Sequence, residues 1–508
     1  MTTYIKTALK RFTRDSFGGV AIYAAVTAPV MVGGAALSVD VARIQNLDQQ
    51  LQRASDAYAR AGAAELDGRS DSITRANRAI DTLINNSQTY AGSRSQVAIG
   101  GRRYLTDLPE NGYEDAGQNL VTTDPRKAKY VEVSVSPTTI NTIFPPKISR
   151  GIASVTLNAK AVAGFSFGVC GAAPVFVCNP YEGTGLDLYT ALEQQSERRR
   201  QIRFLTPGGG CEEFAPGVFG FLDPYSTNGV SGANIIRDKI AVDKTDTCFH
   251  SEGVKLRPGR INSVADAINV RFDLYKGRYK KTTYTSDPAY APAANVVKGY
   301  GPKWSRRKKK YISTKSCSMV PNNEAFAMPR DACFDNGTCS SLNGNMGNGN
   351  WDFLSYMKIN HNYMSPITIA GTTYHLNYNS GSVTPSNLPT RFEMYRWEID
   401  NNCVPGALTY GRNAKTPEEG LATCHSTGAY VGDVDRRVMT VAILNCDELS
   451  MNFNMHQDSR EKVPAEAFID VFITEPMGRG NSGGFYGEMV GTVRGDSTLA
   501  HDTVAMAR

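Results

Sequence analysis

The sequence predicts an α+β protein. A single N-terminal transmembrane helix continues into a long amphipathic helix, and a β-rich, disulfide-containing extracytoplasmic region follows. Three observations carry this reading. First, Phe17 to Val39 reads FGGVAIYAAVTAPVMVGGAALSV, without one Asp, Glu, Lys, Arg or His. That run is long enough for a bilayer core, which takes about 20 apolar residues. Second, the rest of the chain is polar, and the whole chain is rich in tyrosine (24) and glycine (47), a mix suited to strands and turns. Third, all ten cysteines lie beyond the apolar run, at Cys170, Cys178, Cys211, Cys248, Cys317, Cys333, Cys339, Cys403, Cys424 and Cys446. An even count in an exported region reads as disulfides.

The flanks orient the anchor. Lys6, Lys10, Arg11 and Arg14 precede the run, while only Arg43 and Arg53 follow closely. The positive-inside bias leaves residues 1–16 as a cytoplasmic basic tail and carries the bulk across the membrane. A cleaved signal peptide, cut near Ala36-Leu37-Ser38, is the first rival, but a signal core runs to only about 7–15 residues. A buried core helix is the second rival, disfavoured by its place at the N-terminus. Small residues four apart, Ala24 with Ala28 and Gly34 with Ser38, allow close helix approach in lipid. Pro29 is expected to kink or loosen the helix.

The apolar pattern continues past the membrane edge. Leu37, Val41, Ile44, Leu47, Leu51, Ala54, Tyr58 and Ala61 follow spacings of 4, 3, 3, 4, 3, 4 and 3, close to a heptad seam. One helix from about Asp15 to about Leu66 follows, ended by Gly68. Ser72 is placed to cap a second helix through about Asn85. Strand-like segments come next at Gln96–Leu105, Lys129–Val135 and Val155–Phe165.

Residues 14–66 resemble the TadE/TadG-like family of tight-adherence (Flp) pilus assembly proteins. The matching segments are RDSFGGVAIYAAVTAPVMVGGAALSVDVAR and LQRASDAYARAGAAELDG. They share a basic-flanked start, a mid-membrane proline, a small-residue exit, an Asp at the membrane edge (Asp40), and the helix beginning Leu51-Gln52. The strand-like segments that follow suit the TadG branch, extending the resemblance to about Phe167. The resemblance implies a non-catalytic component of a pilus assembly machine, or a minor pilin-like subunit. It would be held in the inner membrane and meet other pilus assembly proteins or pilin-like subunits through the seam from Leu37 to Ala61. Two features do not carry over. Members cut by the prepilin peptidase carry a Glu just inside the apolar run, where Val20 to Ala24 are apolar or small here. The Asp-x-Ser start of a von Willebrand A-type metal loop is absent.

The domain organisation expected is therefore a tail at 1–16, a transmembrane helix at 17–39, helix plus strands at 40–167, and a β-rich domain at 168–508. Within the last, short spacing favours a Cys170–Cys178 bridge, with Cys211 and Cys248 as the next local pair. Thr184 to Phe204 reads as a helix with Arg198, Arg199, Arg200 and Arg203 crowding its negative end. VKLRPG reads as a strand, and a helix is expected around Val264–Asn269. Lys303 to Tyr311, KWSRRKKKY, reads as a solvated loop able to touch an anionic surface. NGNMGNGN at 343–350 reads as a flexible linker. VMTVAILNC and AFIDVFITE are apolar enough for central strands.

Signals of chemistry are sparse. Gly480-Asn481-Ser482-Gly483-Gly484 resembles the nucleophile loop of chymotrypsin-like proteases, but no Ala-His-Cys accompanies it. One third of a triad is better read as a turn. The six histidines, 250, 361, 375, 425, 456 and 501, form no His-x-x-x-His, and no CxxC, P-loop or GxGxxG helix start occurs. No cofactor, metal, nucleic acid or small-molecule substrate is expected; a net charge of +6 is too mild for nucleic acid. An envelope adhesin on the same anchor is the alternative from another class. A secreted hydrolase using Ser482 is the remote one.

Overall fold

The structure is a computed structural model that describes residues 19–67, 71–83, 87–88, 95–109, 117–125, 127–143, 153–206, 214–224, 232–251, 253–257, 263–293, 303–305, 307, 310–312, 328–401, 425, 435–447, 449, 462–478, 484–493 and 500–506. It is α+β, an apolar N-terminal helix followed by a β-rich region. The chain divides into two compact units, residues 1–165 with 503–508, and residues 166–502.

In the first unit, helix α1 (Gly19–Ala63) is one element of 45 residues that passes through Pro29 without a break. Helix α2 (Ser72–Thr82) follows. The unit's strands include β1 (Ile99–Leu105), β2 (Tyr130–Val135), β3 (Thr138–Asn141), β4 (Ser154–Leu157) and β5 (Lys160–Cys170), β5 running on past the unit's boundary. β2 pairs antiparallel with β1 and with the start of β5, and β3 with β4. The C-terminal half of α1 lies on this sheet. Leu47, Leu51, Ala54, Tyr58, Ala59 and Ala63 are buried with Val131, Val133, Ala161 and Ala163. Gly62 permits the crossing of α2, since a Cβ there would meet Ile80 Cδ1 at 2.6 Å. Ser72 does not act as a cap. Asp71 holds that position, and the Ser72 hydroxyl donates to the Pro125 carbonyl at 2.8 Å.

The second unit contains helices α3 (Leu188–Glu193), α4 (Gln195–Arg198), α5 (Ala233–Ala241), α6 (Val264–Ile268), α7 (Phe353–Asn360) and α8 (Arg391–Asp400). Its strands include β6 (Val175–Cys178), β7 (Ile202–Leu205), β8 (Phe219–Leu222), β9 (Cys248–His250), β10 (Val254–Arg257), β11 (Ile367–Ile369), β12 (Thr372–Asn377), β13 (Ser382–Thr384), β14 (Val438–Leu444), β15 (Lys462–Val463), β16 (Ala467–Ile473) and β17 (Gly484–Thr492). An eight-stranded sheet runs β15-β10-β8-β6-β14-β16-β17-β7. Its neighbours are antiparallel except β6 with β14. The expected central strands are here, β14 and β16 side by side. Both are apolar except for Thr440 and Asp470, which hydrogen-bond to each other, because both faces are covered. Val441 and Ile443 point into a core closed by α3, α5 and α6, while Ala442 and Leu444 face an opposite layer with Val169, Phe249 and Cys446. The hairpins β11–β12–β13 pack with α7 and α8 around Trp351, Tyr374 and Tyr395.

Several expectations are corrected here. The helix expected over Thr184–Phe204 is two short helices, α3 and α4, after which Ile202–Leu205 turns to strand. Asp187 caps α3 through the Thr190 amide, and Ile202 and Phe204 alternate inward. The 343–350 segment is not a loose linker. Met346 is 3% exposed in the core, and Gly347 donates its amide to the Gln201 carbonyl at 2.8 Å. A Cβ on Gly347 would collide with Asp331. The basic run folds as a hairpin, Lys303–Ser305 pairing with Lys310–Ile312.

Two of the three bridges among the described residues are not local. Cys170 and Cys248 stand opposite each other on β5 and β9 and are bonded. Cys178 at the end of β6 joins Cys446, just past β14, its parallel neighbour. Cys333 and Cys339 form a third bridge. Strand pairing, not sequence distance, brings the first two pairs together, in place of the expected Cys170–Cys178 and Cys211–Cys248 pairs, whereas Cys333 and Cys339 are six residues apart. Cys211, Cys317, Cys403 and Cys424 lie outside the described residues.

Candidate functional site

The functional element of the first unit is α1, whose two halves have opposite chemistry. Ile22, Tyr23, Val26, Val30, Met31 and Val32 are each more than 60% exposed, although all are apolar or aromatic. The most hydropathic 18-residue window has a mean hydropathy of 1.7 and none of it is buried. Among the described residues this is the one helix long and apolar enough to cross a membrane. An exposed apolar stripe of this size needs a non-aqueous partner. Two hydroxyls on it, those of Thr27 and Ser38, are satisfied along the helix itself. Thr27 Oγ1 donates to the Tyr23 carbonyl at 2.7 Å, and Ser38 Oγ to the Gly34 carbonyl at 2.8 Å. No unpaired hydroxyl would therefore be presented to lipid at these two positions. A Cβ on Gly34 would meet nothing within 4 Å, so that face is open.

Asp40 marks the change of environment. It is 4% exposed, although Leu37, Val39 and Val41 around it are 51%, 48% and 44% exposed. Both carboxylate oxygens accept the Ile143 amide, at 2.9 and 2.8 Å. Arg43 lies 3.4 Å from the carboxylate and donates to the Asn141 carbonyl at 3.2 Å. Asp40 therefore ties the end of β3 to the helix where the apolar run stops.

Beyond Asp40 the seam turns inward. Leu47, Leu51, Ala54 and Tyr58 are at most 3% exposed, Ile44 packs at the margin of the same core, and Ala61 is half-buried. Ser55 Oγ donates to the Val133 carbonyl at 2.9 Å and the Tyr58 hydroxyl to Val97 at 2.8 Å. This part of the seam is occupied by the chain's own sheet, which corrects the expectation that all of it meets a partner. Leu37 and Val41 alone among the seam residues stay exposed.

The other sequence candidates that are described hold structural positions. Ser482 and its neighbours 480–483 lie outside the described residues. Gly484 faces the Phe204 carbonyl so closely that a Cβ would sit 2.3 Å away, which gives this glycine a packing role. His425 is 3% exposed; its amide donates to Asp273 and its Nε2 lies 2.9 Å from the Asp287 carbonyl. A carbonyl only accepts, so Nε2 carries the proton. Of the crowded arginines, Arg198 donates to the Leu192 carbonyl at the end of α3, in keeping with the helix-end reading. Arg199 and Arg200 instead reach the carbonyls of Leu388 and Gly347.

Sequence reasoning missed two features of the second unit. In the first, Arg391 is fully buried and donates to Asp331 and Glu488, both at 2.6 Å. The second Asp331 oxygen accepts the Gly349 and Gln201 amides. Isolated acids inside apolar strands, such as Glu488 in GFYGEMVGT, were the available signal. The second is a cleft of about 540 Å³ beside Cys170, lined by Lys239, Lys244, Arg271, Asp435, Thr440 and Asp470 among others. Much of its charge is already engaged. Lys239 pairs with Asp246, Asp435 with Arg396, Asp470 with the Thr440 hydroxyl, and Arg271 with the Arg436 and Ile240 carbonyls. Among the described residues no group of three or more His, Cys, Asp or Glu side chains is placed to hold a metal.

Residues 18–65 match the family model described as putative Flp pilus-assembly TadE/G-like. The match spans α1 and the turn after it, the stretch whose two-halved geometry has just been described. No curated protein and no solved structure matches the chain. The likeness to Flp pilus assembly proteins is confined to this N-terminal segment; the region after residue 65 rests on its own structure.

Proposed function

We propose that the chain is a non-catalytic, membrane-anchored component of a tight-adherence pilus assembly system, a minor pilin-like or assembly accessory subunit. The observation that carries this is α1 itself. Its first half is apolar and exposed, its second half is packed on a sheet, and the family match covers both. On this reading the helix spans the inner membrane once with residues 1–16 in the cytoplasm. The β-rich units then stand in the periplasm or at the cell surface. The Cys170–Cys248, Cys178–Cys446 and Cys333–Cys339 bridges suit an oxidising compartment. Other pilus assembly proteins or pilin-like subunits would meet α1 along its exposed lipid-side face, where Ala24, Ala28 and Gly34 allow close approach, and at Leu37 and Val41.

Deleting the gene in the native host and scoring surface pili tests the proposal. Loss of pili, restored by the wild-type chain but not by Val30→Asp, is expected. A charge at the centre of a membrane helix is unfavourable by about 3 kcal/mol on insertion scales. Normal piliation without the chain contradicts the assignment.

A further inference from the structure

We propose that the end of the β3–β4 hairpin at Ile143 is a second membrane contact, lying in the headgroup layer of the bilayer that α1 spans. The inference rests on the reading of α1 as a transmembrane helix. The middle of the uncharged run falls at Ala28, and Asp40 is twelve residues further on. At about 1.5 Å per residue this places Asp40 about 18 Å from the bilayer centre. The hydrocarbon core ends at about 15 Å and the headgroup region at about 20–22 Å. Asp40 thus sits at headgroup depth, and both its oxygens grip the Ile143 amide. The Arg43 bond to Asn141 holds the strand end at the same level.

The clamp fixes Ile143 beside the membrane edge, yet its side chain is 57% exposed. It is the one large, strongly exposed apolar residue of this unit that does not belong to α1, among the described residues. In water such a residue gains nothing from its exposure; at an interface its burial is favourable. The occupant is lipid because the Asp40 clamp holds Ile143 at headgroup depth, where the bilayer is the apolar phase within reach.

The test is photocrosslinking of the full-length chain in vesicles of phosphatidylcholine and phosphatidylglycerol. A diazirine amino acid replaces Ile143, Val30 in the membrane run, or Thr139, an exposed residue further up the hairpin. Lipid adducts are expected at positions 30 and 143, several-fold above position 139. Adducts at 30 with position 143 no higher than 139 overturn the proposal and leave the anchor standing. Absence of adducts at both 30 and 143 overturns the anchor and the proposal together. Adding Asp40→Ala should lower the yield at 143 while that at 30 persists. An unchanged yield at 143 would remove Asp40 as the positioning residue and with it the argument.

Discussion

Arg391 shows how a single buried charge organises the second unit. Its guanidinium bridges Asp331 and Glu488, its Nε reaches the Pro329 carbonyl at 2.8 Å, and Trp351 stacks 5.2 Å away. Removing it leaves two buried carboxylates without their counter-charge. Arg391→Met is therefore expected to destabilise by about 3–5 kcal/mol, read as a lower unfolding midpoint in guanidinium; an unchanged midpoint contradicts the assignment. Burial pushes the Glu488 carboxyl up from its ordinary range, with Arg391 opposing. Glu182 behaves similarly. Burial pushes it up to about 7 although the Cys446 and Asp447 amides favour its ionised form. A carboxyl raised on folding binds more protons in the native state, so its contribution is present below about 4.5 and is lost as pH rises to about 7. Thermal midpoints should accordingly fall across that window, and Glu182→Gln should flatten the fall. A midpoint curve that Glu182→Gln leaves unchanged argues against this role.

Elements whose neighbours are themselves were the legible ones. The run through α1 showed as unbroken apolar sequence, and β14 and β16 showed as apolar on both faces because both faces are buried. The helix expected over 184–204 failed because the apolar spacing of Leu186, Tyr189, Leu192 and Ile202 ignored Gln194, where the backbone leaves helical geometry and α3 ends. The 343–350 segment misled because its glycines serve close packing against Asp331 and Arg199 rather than mobility. The same logic of close approach operates at Gly62 on α1. Gly62→Val should destabilise by about 1–3 kcal/mol through overpacking. Ile80→Ala in the same chain should recover part of the loss, read as a coupling energy in a double-mutant cycle. Simple additivity would mean that the α1–α2 crossing does not depend on that glycine. The seam illustrates the limit of periodicity: its spacing located a buried stripe from Leu47 to Tyr58 but carried no information about whether the covering surface was another chain or the same one.

At the scale of the molecule, the disulfide pattern follows topology that linear spacing does not contain. Cys178 and Cys446 are 268 residues apart yet end neighbouring parallel strands. Replacing both with alanine should lower stability by about 2–5 kcal/mol, seen as an earlier thermal transition; no shift would mean that the bridge is not formed in the native protein. The central claim is that one N-terminal helix carries two disulfide-bearing or sheet-packed units across the inner membrane. It is tested most directly by fusing an export-only reporter after Arg508 and titrating thiols with a membrane-impermeant reagent, with and without reductant. The account predicts an active reporter, with the thiols of Cys170, Cys178, Cys248, Cys333, Cys339 and Cys446 reacting only after reduction. A silent reporter with those six cysteines free would place the bulk of the chain in the cytoplasm and contradict it.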